Sequence, residues 1–384
     1  MSIALFPSAF HPHVGGVETV TLTMGKKLQQ MGYDVVVVTN RFPEDLPEFE
    51  FVDGLPVHRF KFRFPSRNVT SLLDFWQGIN TFIQLAALLK HSSPVILHVI
   101  CASTNTLYAL LAKTILKVPV VLSLHGETFA DSKSMYDRSA FARWSLSHLL
   151  PVCDRITGCS RMVIDDAEEK FSISLPEATV IGNGVDQEML SAMPGSTTVP
   201  RGRKYILTVG RLVENKGVRR LLEAFVRLHE DFSDLDLVIA GDGPELQALN
   251  EFAIEHKIND RVHLVGTVRN ESLVALYRGC EFLINPSPRE SFGLVCLEAM
   301  SLGKAVIATN NGGTRDFISN NEGRLIDTTD VDALTVSIRE LLNHPELVQE
   351  MGKCAEQKAK NYSWQSVMQQ YADLYDSVGK NTCA

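Results

Sequence analysis

The chain has 384 residues, 45% of them hydrophobic and 21% charged, with a formal net charge of -8. That length suits two soluble domains, each able to bury its own core, and the acidic balance disfavours a general nucleic-acid binder, which needs a broad basic surface. No run approaches the roughly 20 apolar residues of a membrane-spanning helix.

Seven cysteines, scattered without a CxxC pair, read as reduced thiols of a cytosolic protein. Ile3-Ala-Leu-Phe is a short buried strand that gives way at once to Pro7, Ser8 and His11-Pro12-His13, so no signal peptide is expected and the chain is expected in the cytoplasm. After the loop SAFHPHVGG, apolar residues at Val17, Val20, Met24, Leu28 and Met31 predict a helix, and Val35 to Val38 the next strand. This βαβ unit lacks the G-x-G-x-x-G fingerprint, which disfavours a nicotinamide enzyme. Gly15 and Gly16 place bare backbone at the crevice end of a strand, either for close approach to a sugar or phosphate or simply for a tight turn. His11 and His13 are too few, with no neighbouring cysteine or acid, to point to a metal.

Residues 58–67, HRFKFRFPSR, alternate aromatic and basic residues. A half-buried strand with Phe60, Phe62 and Phe64 opposed to Arg59, Lys61 and Arg63 is the first reading. The sharper alternative is a basic face for peripheral contact with a membrane or an anionic acceptor, supported by the apolar helix at Leu85 to Leu89. Val95 to Val99 and Val118 to Leu124 read as buried parallel strands around a helix at Thr106 to Leu116. The second ends in His125-Gly126-Glu127-Thr128, which puts His125 either in a ligand crevice or at a satisfied strand end. Shorter strands follow at Ile156 to Ser160 and Ala178 to Asn183, and Ser191 to Arg203 reads as the linker.

A second βα series starts with strand Lys204 to Val209 and the loop Gly210-Arg211-Leu-Val-Glu-Asn-Lys216-Gly217, ahead of a helix near Val218. Arg211 and Lys216 are either solvated surface charges or the cations that neutralise a diphosphate. Strand Leu235 to Ala240 is preceded by Asp234 and carries Asp236. This D-x-D sits at the start of the strand, where Asp236 reads as a pleat residue, so no essential divalent ion and no cofactor are expected. Strand Val262 to Val265 leads to Gly266-Thr-Val268.

The stretch Asn285 to Gly313, NPSPRESFGLVCLEAMSLGKAVIATNNGG, then reads as loop, helix and strand. The amides of Phe292, Gly293 and Leu294 open the helix, where the dipole is equivalent to roughly +0.5 charge and favours an anion. Glu298, one turn inside, leans back toward the same point and can accept from hydroxyls; Glu290, in the loop, can reach from the other side. One anion site between two hydroxyl acceptors suits a sugar nucleotide. The last element is an amphipathic helix from Tyr362-Ser-Trp364 through Tyr375.

Glu290, seven residues, then Glu298, within PRESFGLVCLEAMSLGKAV, together with GGVE, LxxxGYDVVVVT and GRLxxxKG, closely resembles the signature of retaining GT-B glycosyltransferases of family 4. The resemblance covers nearly the whole chain, least so residues 41–90. It implies an α/β GT-B fold: two facing Rossmann-like domains with a cleft between them, and a C-terminal helix crossing back to the N-terminal domain. The boundaries expected are 1–190 plus 362–384 for the acceptor domain and 200–361 for the donor domain. It implies transfer of a sugar from a nucleotide diphosphate sugar, UDP-linked by preference, to a hydroxyl of a glycan, lipid or small molecule. His125 and Glu290 then grip donor-sugar hydroxyls as the catalytic pair. Gly15, Gly16, Arg211, Lys216, Ser291, Phe292, Gly293, Leu294 and Glu298 bind the donor, with Val268 meeting the base through its backbone. Asp316 stands where the family usually has glutamate and is left out. Rival readings are a GT-B sugar-nucleotide epimerase, a phosphorylase, or a non-catalytic nucleotide-sugar-binding partner subunit. The oligomeric state, the sugar and the acceptor carry no motif.

Overall fold

A computed structural model describes residues 2–13, 15–62, 71–92, 96–129, 135–185, 190, 202–268 and 270–382, the side chains of 71–75, 270 and 380–382 excepted. Most of the expected linker, and residues 63–67 of the basic stretch, lie outside them. The chain divides into unit 1, Met1–Asn183 with Trp364–Ala384, and unit 2, Gly184–Ser363.

Unit 1 is built on an eight-stranded sheet in the order β3-β4-β2-β1-β5-β6-β7-β8. Its strands are β1 (Ser2–Pro7), β2 (Asp34–Asn40), β3 (Phe49–Val52), β4 (Leu55–Phe60), β5 (Ile96–Ile100), β6 (Val120–Leu124), β7 (Arg155–Gly158) and β8 (Thr179–Val180). All neighbours are parallel except the β3/β4 hairpin at the edge. β1, β5 and β6 are aliphatic and buried almost throughout, as strands covered on both faces must be. The hairpin falls in the region that matched no expected motif.

It also corrects the reading of the basic stretch. β4 alternates buried and half-buried residues, but Leu55, Val57 and Arg59 take the inner positions and Phe60 the half-buried one. Arg59 is 3% exposed; its guanidinium pairs with Glu50 at 2.6 Å and donates to the His11 carbonyl at 2.8 Å. Lys61 pairs with Glu44 at 2.7 Å. The strand ends at Phe60, and Phe62 buries against Phe6 and Tyr108. Both described cations of the stretch are therefore paired with carboxylates of unit 1, Arg59 buried and Lys61 at the surface.

The helix Trp364–Thr382 packs on unit 1 by burying Trp364, Val367, Met368, Tyr371, Tyr375 and Val378, the spacing of one helical face. Under it lies a polar network. His98 of β5 bonds through Nδ1 to the Tyr375 hydroxyl and through Nε2 to Ser123 Oγ, both at 2.7 Å. Ser123 also meets Thr157 at 2.6 Å and Tyr371 at 3.1 Å. Burial, and then the neighbouring His125, push the pKa of His98 down to about 3, so its ring serves as a neutral relay of hydrogen bonds.

Unit 2 holds an all-parallel six-stranded sheet, β11-β10-β9-β12-β13-β14, from β9 (Lys204–Val209), β10 (Leu235–Ala240), β11 (Val262–Gly266), β12 (Leu283–Ile284), β13 (Val306–Thr309) and β14 (Gly323–Ile326). Counted within the unit this is the doubly wound order, whose direction reverses between β9 and β12. Ligands of such sheets bind at the carboxyl ends of the strands beside that reversal. Ile206, Leu237, Ile239, Phe282, Ile284 and Ile307 form the core with the flanking helices.

The D-x-D reading resolves at the opposite end of the sheet. Asp236 is fully buried and accepts from Arg203 Nε at 2.8 Å, Arg261 Nε at 3.0 Å and His263 Nε2 at 2.8 Å. Burial pushes its carboxyl up, but these three donors outweigh that and hold it below its ordinary value. Asp234 faces Lys204 at 3.7 Å. Asp236 is thus the anchor of the chain entering unit 2.

Candidate active site

In unit 2 the site grows from the two strands flanking the reversal. β9 leads into Gly210, whose amide donates to Ala240 O at 3.0 Å, and Leu212 N is held by Asp242 O at 2.9 Å. Between those anchors Arg211 is exposed, and its guanidinium makes no ion pair among the described residues. The chain then makes a single 3-10 turn, Glu214–Lys216, before helix Val218–Val226.

Gly217 joins them at φ +70°, where a Cβ would lie 2.3 Å from the Pro286 carbonyl oxygen. A side chain fails here on both conformation and space. This close approach sets Lys216 against the loop that follows β12: its Nζ lies 2.8 Å from Glu290 Oε2. Asn285 Nδ2 reaches the same oxygen at 3.4 Å, and Asn285 Oδ1 accepts from Ser287 Oγ at 2.9 Å.

We expect Gly217→Ala to cost about 1–3 kcal/mol of stability, since the strain of a positive φ and the Pro286 carbonyl both oppose a Cβ there. Melting curves of variant and parent check this; an unchanged melting temperature would disprove it.

Glu290 is held from its backbone as well. Its carbonyl accepts from Gly313 N at 2.8 Å and it bridges to Gly312, where a Cβ would come within 2.5 Å of the same carbonyl. The twin glycines after β13 thus allow the loop to pass. Burial pushes the Glu290 carboxyl up, but the Lys216 ammonium beside it, helped by Asn285 and Ser287, holds it below the ordinary glutamate value. It is an anion at neutral pH.

Ser291 and Phe292 lead into helix Leu294–Ser301, capped by Gly293. The first amides of that helix have no acceptor within it. Phe292 is buried against Phe317 and Tyr362, which fixes where the helix starts. Glu298 stands one turn in, and its Oε2 accepts from the Tyr277 hydroxyl at 2.6 Å. Burial pushes the Glu298 carboxyl up, opposed by that hydrogen bond. Tyr277 carried no sequence signal: nothing in a helix on another strand connection marks it as the partner of Glu298. Val268 follows β11, half-buried, and the carbonyl of neighbouring Gly266 accepts from Gly241 N at 2.8 Å. Asp316 is exposed, its carbonyl accepting from the Tyr362 hydroxyl at 3.4 Å.

The described candidates of unit 1 sit at carboxyl ends of β1 and β6. Gly15 caps helix Gly16–Gln30 with extended backbone, and its carbonyl accepts from Thr19 Oγ1 at 3.0 Å. His13 stacks on Phe42 and bonds to its carbonyl at 3.1 Å. His125 is half-buried; burial pushes its pKa down to about 4, leaving a neutral ring at pH 7 that can donate or accept one hydrogen bond at each nitrogen.

Residues 14–189 match Glycosyltransferase Family 4, and residues 192–358 match Glycosyl transferases group 1. The chain belongs to the family 4 glycosyltransferases. This family 4 chain is similar to a glycogen synthase of Mycobacterium tuberculosis, 31% identical over 264 residues, which cover 67% of this chain and 63% of the relative. It therefore spans less than two thirds of that relative's length. Among solved structures, sucrose-phosphate synthase of Thermosynechococcus elongatus superimposes with a TM-score of 0.80 at 20% identity, covering 98% of each chain. Anabaena HepE, solved in complex with UDP, gives 0.79 at 16%, covering 98% of this chain and all of that one. At these identities the two structures speak to the fold, which is GT-B. Among the described residues no helix is long and apolar enough to cross a membrane.

Proposed function

We propose that the protein transfers a sugar, with retention, from a UDP-linked donor to a hydroxyl acceptor. The observation that carries this reading is the Lys216–Glu290 pair at the strand-order reversal of unit 2, beside the amino end of helix Leu294–Ser301. A cation, a run of free amides and a carboxylate meet there, which is what a diphosphate with a sugar attached requires.

In this reading Arg211, Lys216 and the amides at Gly293 and Leu294 hold the diphosphate and stabilise the charge it gains on leaving. Ser291 and Phe292 shape the approach to those amides. Glu298, one oxygen engaged by Tyr277, accepts from ribose hydroxyls with the other, and backbone at Val268 meets the base. Glu290, released from Lys216 as that lysine turns to phosphate, accepts from sugar hydroxyls. In unit 1, His125 contacts the donor sugar as a neutral hydrogen-bonding group, and Gly15 and Gly16 leave room for phosphate and sugar. The sugar C1–O bond to phosphate breaks, the acceptor oxygen bonds to C1 on the same face, and the acceptor proton passes to the departing diphosphate. No resident metal takes part, the cations Arg211 and Lys216 serving in that role, and the setting is the cytoplasm. UDP is favoured over other nucleotides because the similarly folded HepE was solved with it.

A thermal-shift and turnover panel of UDP, GDP and ADP sugars, with orthophosphate plus glycan as a further arm, tests this. We expect one UDP sugar at 100 times its dissociation constant to add about 2.7 kcal/mol of stability, and slow hydrolysis of it to survive a metal chelator. Stabilisation by another nucleotide series would change the donor; turnover only with orthophosphate would replace a transferase by a phosphorylase.

A further inference from the structure

Glu127, two residues beyond His125, has a carboxylate that neither composition nor motif assigns. It is 7% exposed, and no cation pairs with it among the described residues. Its Oε2 accepts from the His125 amide and its Oε1 from the Ala102 amide, each at 2.7 Å.

Ala102 lies just past β5 and His125 just past β6, so one side chain clamps the carboxyl ends of two adjacent strands. Backbone bonds converge there too: Cys101 N donates to Ser123 O at 3.0 Å and Cys159 N to Leu124 O at 3.0 Å. Burying a carboxylate without a cation is costly, and even with these two amides burial leaves the Glu127 pKa raised. A loop end could be closed by a neutral acceptor at lower cost.

What the charge accomplishes is visible at His125. Its ring makes no hydrogen bond to the described residues, and the neighbouring imidazole, His98, has both nitrogens engaged by Tyr375 and Ser123. The ring's height above the sheet is therefore set by packing and by its own amide, and that amide is held by Glu127.

We propose that Glu127 is the positioning residue for His125: a buried carboxylate seated on strand-end amides that fixes the histidine at the donor sugar. This rests on the reading of His125 as a donor-sugar ligand. A displacement of about 1 Å at such a group costs on the order of 100-fold in turnover.

The test is a double-mutant cycle on the nucleotide sugar that gives the largest thermal shift, read as kcat and KM for its hydrolysis, with UDP binding measured alongside. Glu127→Gln should lower kcat on the order of 100-fold with UDP affinity kept within about 2-fold, since the proposed UDP ligands lie in unit 2. In a His125→Ala background the same substitution should change kcat by less than about 2-fold. Parent-like kcat in Glu127→Gln, or losses that multiply in the double variant, overturns the proposal while leaving His125 in place. Parent-like kcat in His125→Ala overturns the reading of the histidine itself. Should Glu127→Gln fail to fold, Glu127→Asp, which keeps the charge but reaches fewer amides, must show the same non-additivity with a smaller loss; multiplying losses there overturn the proposal equally.

Discussion

Lys216→Ala should weaken UDP binding about 100-fold, the loss expected when the protein's half of a hydrogen-bonded charge pair with a bound phosphate is removed, and should carry turnover down with it. The substitution removes the ammonium proposed for the diphosphate and strands Glu290. With Lys216 29% exposed and Glu290 12%, solvent screens part of the pair, so the loss of stability is smaller, about 1–2 kcal/mol. The pH dependence gives a second readout. In the parent Glu290 lies below its ordinary value because Lys216 outweighs burial, so the pair stabilises the fold above the unfolded glutamate pKa and that contribution is lost as pH falls through the depressed one. Without Lys216 the burial contribution dominates and the Glu290 pKa rises. Activity that depends on ionised Glu290 should then fade at a higher pH than in the parent. Isothermal titration with UDP and a pH series of donor hydrolysis check both parts; UDP affinity unchanged in the variant would remove Lys216 from the site.

Asp236→Asn should be the most destabilising change away from the site. The carboxylate is fully buried and gathers Arg203, Arg261 and His263. Replacing it leaves Arg261, 13% exposed, and the more exposed Arg203 facing an amide that can accept from only one side, at a cost of about 2–3 kcal/mol once solvent screening of Arg203 is allowed for. For a unit of this size that lowers a melting temperature on the order of 10 °C. Since the native-state pKa of Asp236 is depressed, its contribution exists above the unfolded aspartate pKa and disappears as pH falls through the native one. Parent and variant melting curves should therefore converge in acid. A difference that persists undiminished well below that range would show that the network is not electrostatic.

The sequence carried the fold where hydrophobic period and turn chemistry agreed. Strands Lys204–Val209 and Leu235–Ala240, and the helix start at Val218, follow directly from aliphatic runs closed by glycine. The β3/β4 hairpin was not legible, because an edge strand reading Phe49-Glu-Phe-Val52 is too short and mixed to show its pairing. Arg59 inverted its expected side since a fixed ion pair with Glu50 can take an inner position that period alone gives to phenylalanine. At the candidate site, the charged residues proposed to meet a ligand are marked in the sequence by their type and spacing. Tyr277 bonds to Glu298 and Glu127 to the Ala102 amide across sequence gaps, and such contacts leave no local pattern.

The helix Trp364–Thr382 belongs to unit 1 although the ribosome makes it after all of unit 2. During synthesis the sheet of β1 to β8 waits while residues 184–363 are added, roughly 10–40 s at usual elongation rates. Throughout that interval His98 and Ser123 lack Tyr371 and Tyr375, and the apolar strip that Val367, Met368 and Val378 will cover faces water. Unit 2, continuous in sequence, is free to mature first. A nascent chain stalled before Trp364 should thus present a finished second unit and an unfinished first one, which makes the amino-terminal half the client for chaperones.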